Sequence, residues 1–130
     1  MSLEEREVWA GEEAYWAYIA KRDVEGFMTP WDERFVGWPC GAPGTENYDK
    51  LRSVVTEWFT DIAADGNDTT IEPKAVIVEE QFAVTYLAAT TRRSNESGAA
   101  GIESIKIVHT WRRTHEGWKI IGGMCAALER

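Results

Sequence analysis

The first half of the chain carries the periodicity of amphipathic helices. Between Leu3 and Arg22, apolar residues recur at spacings of three, four and seven, which places them along one side of a helix. These residues are Val8, Trp9, Tyr15, Trp16, Ile19 and Ala20. The polar residues that we assign to the opposite side are Glu4, Glu5, Glu12, Glu13 and Lys21. Acids early and a base late suit the helix dipole, so this segment is predicted to form a long first helix.

Two further helices are predicted before residue 65. Asp23 is a suitable N-cap for a short helix through Phe27, which Pro30 must end. A third helix is predicted from about Asn47 to Ala63, where the apolar residues again follow helical spacing. They are Tyr48, Leu51, Val54, Val55, Trp58, Phe59 and Ile62.

Beyond Thr69 the helical period gives way to the alternation of strands. Four strands are predicted, at Ile71–Val78, Phe82–Thr91, Ile102–Arg113 and Trp118–Ala126. Earlier in the chain, Trp31 to Arg34 is predicted to be a polar turn or a single helical turn, and Phe35 to Pro39 a short extended segment. Three N-terminal helices followed by an antiparallel meander predict an α+β fold, with the helices covering one face of the sheet.

Length, charge and cysteine use narrow the class of protein. A chain of 130 residues with 44% hydrophobic content is predicted to be one globular domain, 1–130. The net charge of −8 and scattered basic residues argue against nucleic-acid binding. No apolar run approaches the roughly 20 residues that cross a bilayer, and no signal peptide precedes the first acidic residues. Because Cys40 and Cys125 lie far apart in sequence, we expect reduced thiols in a cytoplasmic protein.

The order and spacing of several short segments resemble one protein family. They are Lys21 to Phe27 at the end of the first helix, Phe35 to Pro39, Trp111 to Arg113, and Gly117 to Ile121. Together they resemble the SnoaL-like branch of the nuclear transport factor 2-like superfamily, over essentially the whole chain. This resemblance implies a cone in which a strongly curved antiparallel sheet wraps round three N-terminal helices and leaves a pocket. It also implies a homodimer formed through the outer sheet face.

Ketosteroid isomerase relatives in this superfamily use an Asp before a Pro as general base, with a Tyr and a protonated Asp as oxyanion hole. Here the residue before Pro39 is Trp38, and an indole cannot abstract a proton. The resemblance places the hydrogen-bonding phenol at Tyr15, eight residues before Asp23. It places His109 near the position of the protonated Asp. A histidine there can donate a hydrogen bond or act as base, so His109 and Tyr15 are the candidate catalytic residues.

The seven tryptophans indicate an aromatic core, an aromatic pocket or an aromatic interface. Strand alternation and helix position predict that a set of mostly aromatic side chains lines a mainly apolar, substrate-binding pocket. The alternative is that the same side chains only fill the core. The predicted lining residues are Trp16, Trp38, Trp58, Phe59, Tyr86, Ile107 and Trp111. The same alternation predicts an outer apolar row suited to a dimer partner. That row is Trp118, Ile120 and Met124.

No metal or cofactor site is predicted. His109 and His115 are six residues apart, neither cysteine has a ligand at a zinc-like spacing, and no glycine loop suits phosphate. The resemblance implies a small-molecule enzyme that catalyses isomerase, cyclase or lyase type proton transfer on a lipophilic or aromatic carbonyl compound. Two alternatives stay open: a non-catalytic binding protein for a small hydrophobic ligand, and a dimeric assembly domain.

Overall fold

A computed structural model describes residues 1–61, 67–94 and 100–128. In these ranges the helices are α1 (Leu3–Lys21), α2 (Val24–Met28) and α3 (Tyr48–Asp61). The strands are β1 (Trp31–Trp38), β2 (Glu46–Asn47), β3 (Asn67–Glu79), β4 (Phe82–Ser94), β5 (Ala100–Thr114) and β6 (Gly117–Ala127). They form one curved, unclosed sheet in the order β2-β1-β6-β5-β4-β3, with the helices packed against it. The α+β prediction is confirmed. Ile62 and Ala63 of the predicted third helix lie outside the described residues.

The sheet is mixed rather than antiparallel throughout, because β1 runs parallel to β6. Trp31 lies opposite Ile120, so the segment that we predicted as a turn or helical turn is the start of a strand. The prediction was wrong because the polar residues of this segment are typical of a turn. Asp32 is buried there because Arg112 donates to it from Nε at 3.0 Å and from a terminal guanidinium nitrogen at 2.6 Å, which satisfies the buried carboxylate.

Helix α1 begins with a capping box. Ser2 Oγ accepts a hydrogen bond from the backbone N–H of Glu5 at 3.1 Å, and the Glu5 carboxylate accepts one from the N–H of Ser2 at 2.6 Å. The buried face of the helix carries Val8, Glu12 and Tyr15. Our assignment of Glu12 to the polar side is therefore wrong: it is 0% exposed.

The inward face of β4 is also the reverse of the one we predicted. Thr85 pairs with His109 and Leu87 with Ile107, and both β4 residues are buried, whereas Tyr86 is exposed on the outer face. Alternation offers two possible faces, and the prediction took the face that contains Tyr86. Helix α1 approaches the inward face of the sheet closely, since a Cβ added at Gly11 would lie 3.0 Å from the Trp111 ring.

A register shift between Thr110 and Trp111 changes which residues of β6 point inward. Trp111 lies opposite Ile120, which is fully buried in the core. The predicted outer row is therefore wrong at Ile120, and also at Trp118, which packs against the same core. Trp118 is half-buried, with the Arg113 guanidinium 4.4 Å from its ring centroid, and Met124 is exposed.

Cys40 and Cys125 form a disulfide, so the expectation of reduced thiols is wrong. The parallel pairing of β1 with β6 places Trp38 beside Met124, which brings the next cysteines together although they are 85 residues apart in sequence. The cysteines therefore no longer support a cytoplasmic location, which stays a prediction. Among the described helices, none is long and apolar enough to span a membrane.

Candidate active site

A cavity of about 660 Å³ lies between the helices and the inward face of the sheet. The helices contribute Tyr15, Trp16, Ile19, Phe27, Leu51, Val54, Val55 and Trp58 to its wall. Strand β5 contributes Glu103, Ile105, Ile107 and His109. Apolar walls with a few polar groups are typical of sites for small organic molecules.

His109 is held in this wall by a carboxylate that sequence reasoning missed. Its Nδ1 lies 2.5 Å from Oε1 of Glu12, and the side chains of His109 and Glu12 are 6% and 0% exposed. Burying a carboxylate without a partner is costly, so the imidazole and the carboxylate stabilise one another. Helix α1 thus supplies one half of a buried pair and strand β5 the other.

The hydrogen on this pair can be placed from chemistry. Carboxylic acids are stronger acids than imidazolium ions, so the hydrogen between the two groups lies on Nδ1 of His109. Nδ1–H therefore donates to Glu12 Oε1. In the neutral ring this leaves the lone pair on Nε2, which is the arrangement of a general base oriented by a carboxylate.

His109 lines the cavity, and its Nε2 has no hydrogen-bond partner in the described parts of the chain. Tyr15 lines the same cavity, and no group in the described parts of the chain bonds to its hydroxyl. The two rings have their centroids 5.2 Å apart. A ligand in the cavity therefore meets a proton acceptor and a hydroxyl donor side by side.

The Tyr15 hydroxyl stays protonated over the ordinary pH range. Burial first, and then the negative charge of Glu12, raises the pKa of Tyr15 above its ordinary value of 10.0. Glu12 therefore acts on both His109 and Tyr15. It bonds to His109 directly, and its charge adds to burial in keeping the Tyr15 hydroxyl protonated.

The predicted lining residues separate into three groups. Four of them line the cavity: Trp16, Trp38, Trp58 and Ile107. Phe59 and Trp111 are buried in the core instead, and Tyr86 is on the outer face. Trp38 is 42% exposed and donates its indole N–H to the carbonyl oxygen of Ala42 at 2.7 Å, so it forms the outer part of the wall.

The signal for Glu12 was present in the sequence. Val8, Glu12 and Tyr15 are spaced four and three apart, which puts all of them on one helix face. We passed over Glu12 because acids on amphipathic helices usually face solvent. A single acid within an apolar stripe, together with a histidine on an inward strand face, is the pattern that marks such a pair. The described residues contain no group of three or more His, Cys, Asp or Glu side chains that could hold a metal.

Comparisons with known proteins identify the fold. No protein-family model matches the sequence, and no curated protein matches it. A solved NTF2-like protein with a cystatin-like fold from Novosphingobium aromaticivorans is similar with a TM-score of 0.83 and 23% identity, covering 98% of this chain and 84% of that one. This chain has the NTF2-like fold. A ketosteroid isomerase-like protein from Erwinia carotovora atroseptica shares the NTF2-like fold at a TM-score of 0.80 and 17% identity, over 100% of both chains.

The NTF2-like fold also serves proteins of another kind. The association domain of CaMKII from C. elegans is similar to this chain with a TM-score of 0.78 and 14% identity, over 94% of each chain. At identities this low, the likeness establishes the fold and leaves the function to be argued from the site. The SnoaL-like branch of the superfamily stays a prediction.

Proposed function

We propose that the protein, a single SnoaL-like domain over residues 1–130, is an enzyme that moves a proton on a small lipophilic or aromatic carbonyl compound. His109 is the proposed acid/base, Tyr15 the proposed hydrogen-bond donor and Glu12 the residue that orients His109. The observation that supports this function is that His109, bonded to Glu12, and Tyr15 line the same apolar cavity with their ring centroids 5.2 Å apart. No metal or cofactor is required for this chemistry.

The proposed step begins with the substrate carbonyl oxygen accepting a hydrogen bond from the Tyr15 hydroxyl. Nε2 of His109 then takes a proton from the carbon next to the carbonyl, and the electron pair moves onto the carbonyl oxygen as an enolate. The Tyr15 donor stabilises that negative oxygen, and Glu12 stabilises the imidazolium through Nδ1–H. Return of the proton to a different carbon gives an isomerase. Delivery to a departing hydroxyl gives a lyase.

This assignment accounts for Trp38 at the position of the isomerase base. The carboxylate in this chain acts from α1 through His109 rather than directly on the substrate. General acid–base groups of this kind contribute about 10²–10⁴-fold to a rate. Trp16, Trp58 and Ile107 are the proposed substrate-binding residues, since their side chains bury apolar ligand surface.

The test is hydrogen–deuterium exchange at the α-carbon of 2-tetralone, an apolar aromatic ketone, followed by NMR in D₂O. We expect the wild-type protein to accelerate the exchange and the His109→Gln variant to lose about 10²–10⁴-fold of that acceleration. His115→Gln is the matched control because His115 is exposed in the turn after β5. Equal exchange by both variants would remove His109 from the reaction.

A second function is favoured by the size of the cavity and by Trp38 in its wall: non-catalytic binding of a small hydrophobic ligand. The same experiment separates the two. Quenching of tryptophan fluorescence by 2-tetralone without accelerated exchange supports the binding protein. Quenching together with His109-dependent exchange supports the enzyme.

We also propose that the protein forms a homodimer through the outer sheet face. Ile77 and Met124 are each more than half exposed there and Tyr86 is 40% exposed, and the pairing of β3, β4, β5 and β6 places them on one side. Exposed apolar residues on one face are typical of association surfaces. The shared fold of an association domain supports the same idea. Light scattering should give a dimer mass for wild type and a monomer mass for Tyr86→Glu; a wild-type monomer at high micromolar concentration would contradict it.

A further inference from the structure

We infer that Thr85 is a positioning residue, which holds the Glu12 carboxylate against His109 through a hydroxyl whose direction is set by Trp111. This inference rests on the proposed function for its effect on rate, but its geometry stands independently. Thr85 lies in the middle of β4, directly opposite His109 on β5, and is 0% exposed. Its hydroxyl therefore forms its hydrogen bonds within the protein rather than with solvent.

The direction of the hydroxyl follows from the donors around it. The Trp111 indole N–H lies 3.0 Å from Thr85 Oγ1, and an indole nitrogen only donates. Thr85 Oγ1 accepts that hydrogen bond and has one hydrogen left to donate. The available acceptors are Glu12 Oε1 at 2.9 Å and the carbonyl oxygen of His109 at 3.4 Å. The shorter contact assigns the hydrogen to Glu12.

The result is a hydrogen-bonded chain with one direction. Trp111 donates to Thr85, Thr85 donates to Glu12, and His109 donates to the same carboxylate oxygen from Nδ1. The other carboxylate oxygen, Oε2, is buried, and no group in the described parts of the chain bonds to it. Thr85 and His109 are therefore the side chains that fix the carboxylate. If the Thr85 hydroxyl is removed, the carboxylate keeps its bond to His109 alone.

Removing the Thr85 hydroxyl should change the hydrogen bonding of His109 more than it changes the packing of the core. With Thr85→Val the side-chain shape is kept, but Glu12 is free to rotate about its terminal torsion and move Oε1 away from Nδ1. At metal sites, residues that orient the ligating side chains change affinity or activity by about 10–100-fold, and we expect an effect of the same order here. Thr85→Ser keeps the hydroxyl and should keep the function.

The experiment is NMR of protein labelled with ¹⁵N in its histidines, in the absence of any ligand. In wild type we expect a hydrogen on Nδ1 of His109 with slow exchange against water. In Thr85→Val we expect this Nδ1–H to exchange at least about tenfold faster. Thr85→Ser should match wild type. Thr90→Val is the matched control, because it removes a sheet hydroxyl that lies 3.1 Å from Ser104 Oγ, away from Glu12.

An Nδ1–H exchange rate in Thr85→Val equal to that of wild type overturns the inference. Thr85→Ala provides the same reading if the valine variant does not fold. The kinetic counterpart is a fall in kcat of about tenfold or more for 2-tetralone exchange with KM changed less than threefold. If the wild-type protein catalyses no exchange, the proposed function fails, while the NMR comparison still decides the role of Thr85.

Discussion

Two adjacent glycines of β6 allow a direct test of how tightly His109 is held. Gly123 lies opposite His109, and a Cβ added to it would be 2.9 Å from His109 Cδ2 and 2.8 Å from the carbonyl oxygen of Val108. At Gly122 the nearest atom to such a Cβ is the carbonyl oxygen of Val36, at 3.6 Å. Gly123→Ala should therefore displace the imidazole, whereas Gly122→Ala should fit.

The size of the effect follows from these distances. An ordinary contact begins near 3.4 Å, so admitting the methyl group of Gly123→Ala requires the His109 ring to move by about 0.5 Å and the Val108 carbonyl oxygen by about 0.6 Å. Overpacking of this kind costs about 1–3 kcal/mol of stability. Misplacement of a catalytic group approaching 1 Å costs about 10²-fold in rate. Gly122→Ala should be neutral or slightly stabilising, because alanine lowers the entropy of the unfolded chain.

Urea unfolding measures the loss of stability, and hydrogen–deuterium exchange of 2-tetralone measures the loss of rate. We expect Gly123→Ala to be less stable than Gly122→Ala by about 1–3 kcal/mol and to exchange the ketone about 10–100-fold more slowly. Equal stability and equal rates in the two variants would refute the close contact between Gly123 and the imidazole, and with it the placement of His109.

Three further predictions concern the charges and the disulfide. Glu12→Gln keeps the shape of the carboxylate but removes its charge, so kcat for ketone exchange should fall by about 10²–10⁴-fold, as measured by NMR, with unchanged kcat excluding the proposed role. Because the pKa of Tyr15 is raised in the folded protein, its contribution to stability is complete below pH 10.0 and is lost at higher pH. Above pH 10, the free energy of unfolding in urea should therefore fall by about 1.4 kcal/mol per pH unit more for wild type than for Tyr15→Phe. Parallel plots of unfolding free energy against pH for the two proteins would contradict this prediction. Replacing Cys40 and Cys125 with serine opens a covalent loop of 85 residues and should cost on the order of 4 kcal/mol of unfolding free energy; a thermal transition unaffected by reductant and by the substitutions would argue against the bond.

Much of the fold could be predicted from local patterns because α1, α3 and the strands β3 to β6 have clear periods. The wrong predictions share a physical cause, because each concerned a feature that depends on a partner distant in sequence. Trp31 to Arg34 looked polar, and only the guanidinium of Arg112 makes Asp32 acceptable in a strand. The disulfide depended on the parallel pairing of β1 with β6, which no local signal indicates.

The candidate site was predictable in part for the same reason. His109 and Tyr15 were chosen from strand parity and from the resemblance, and both line the cavity. Tyr86 and Ile120 were placed on the wrong sides of the sheet because alternation alone leaves the choice of face open, and one register shift reverses it. Glu12 was missed because its burial depends on His109 and Thr85, 97 and 73 residues further along the chain.

The most direct measurement of the central claim is a crystal structure with 2-naphthol, a planar mimic of the enolate. Our account predicts the naphthol oxygen within hydrogen-bond distance of the Tyr15 hydroxyl, a neighbouring ring carbon facing Nε2 of His109, and Nδ1 still bonded to Glu12. A naphthol bound outside the cavity, or a His109 whose Nε2 is bonded to the protein and turned away from the ligand, would contradict it.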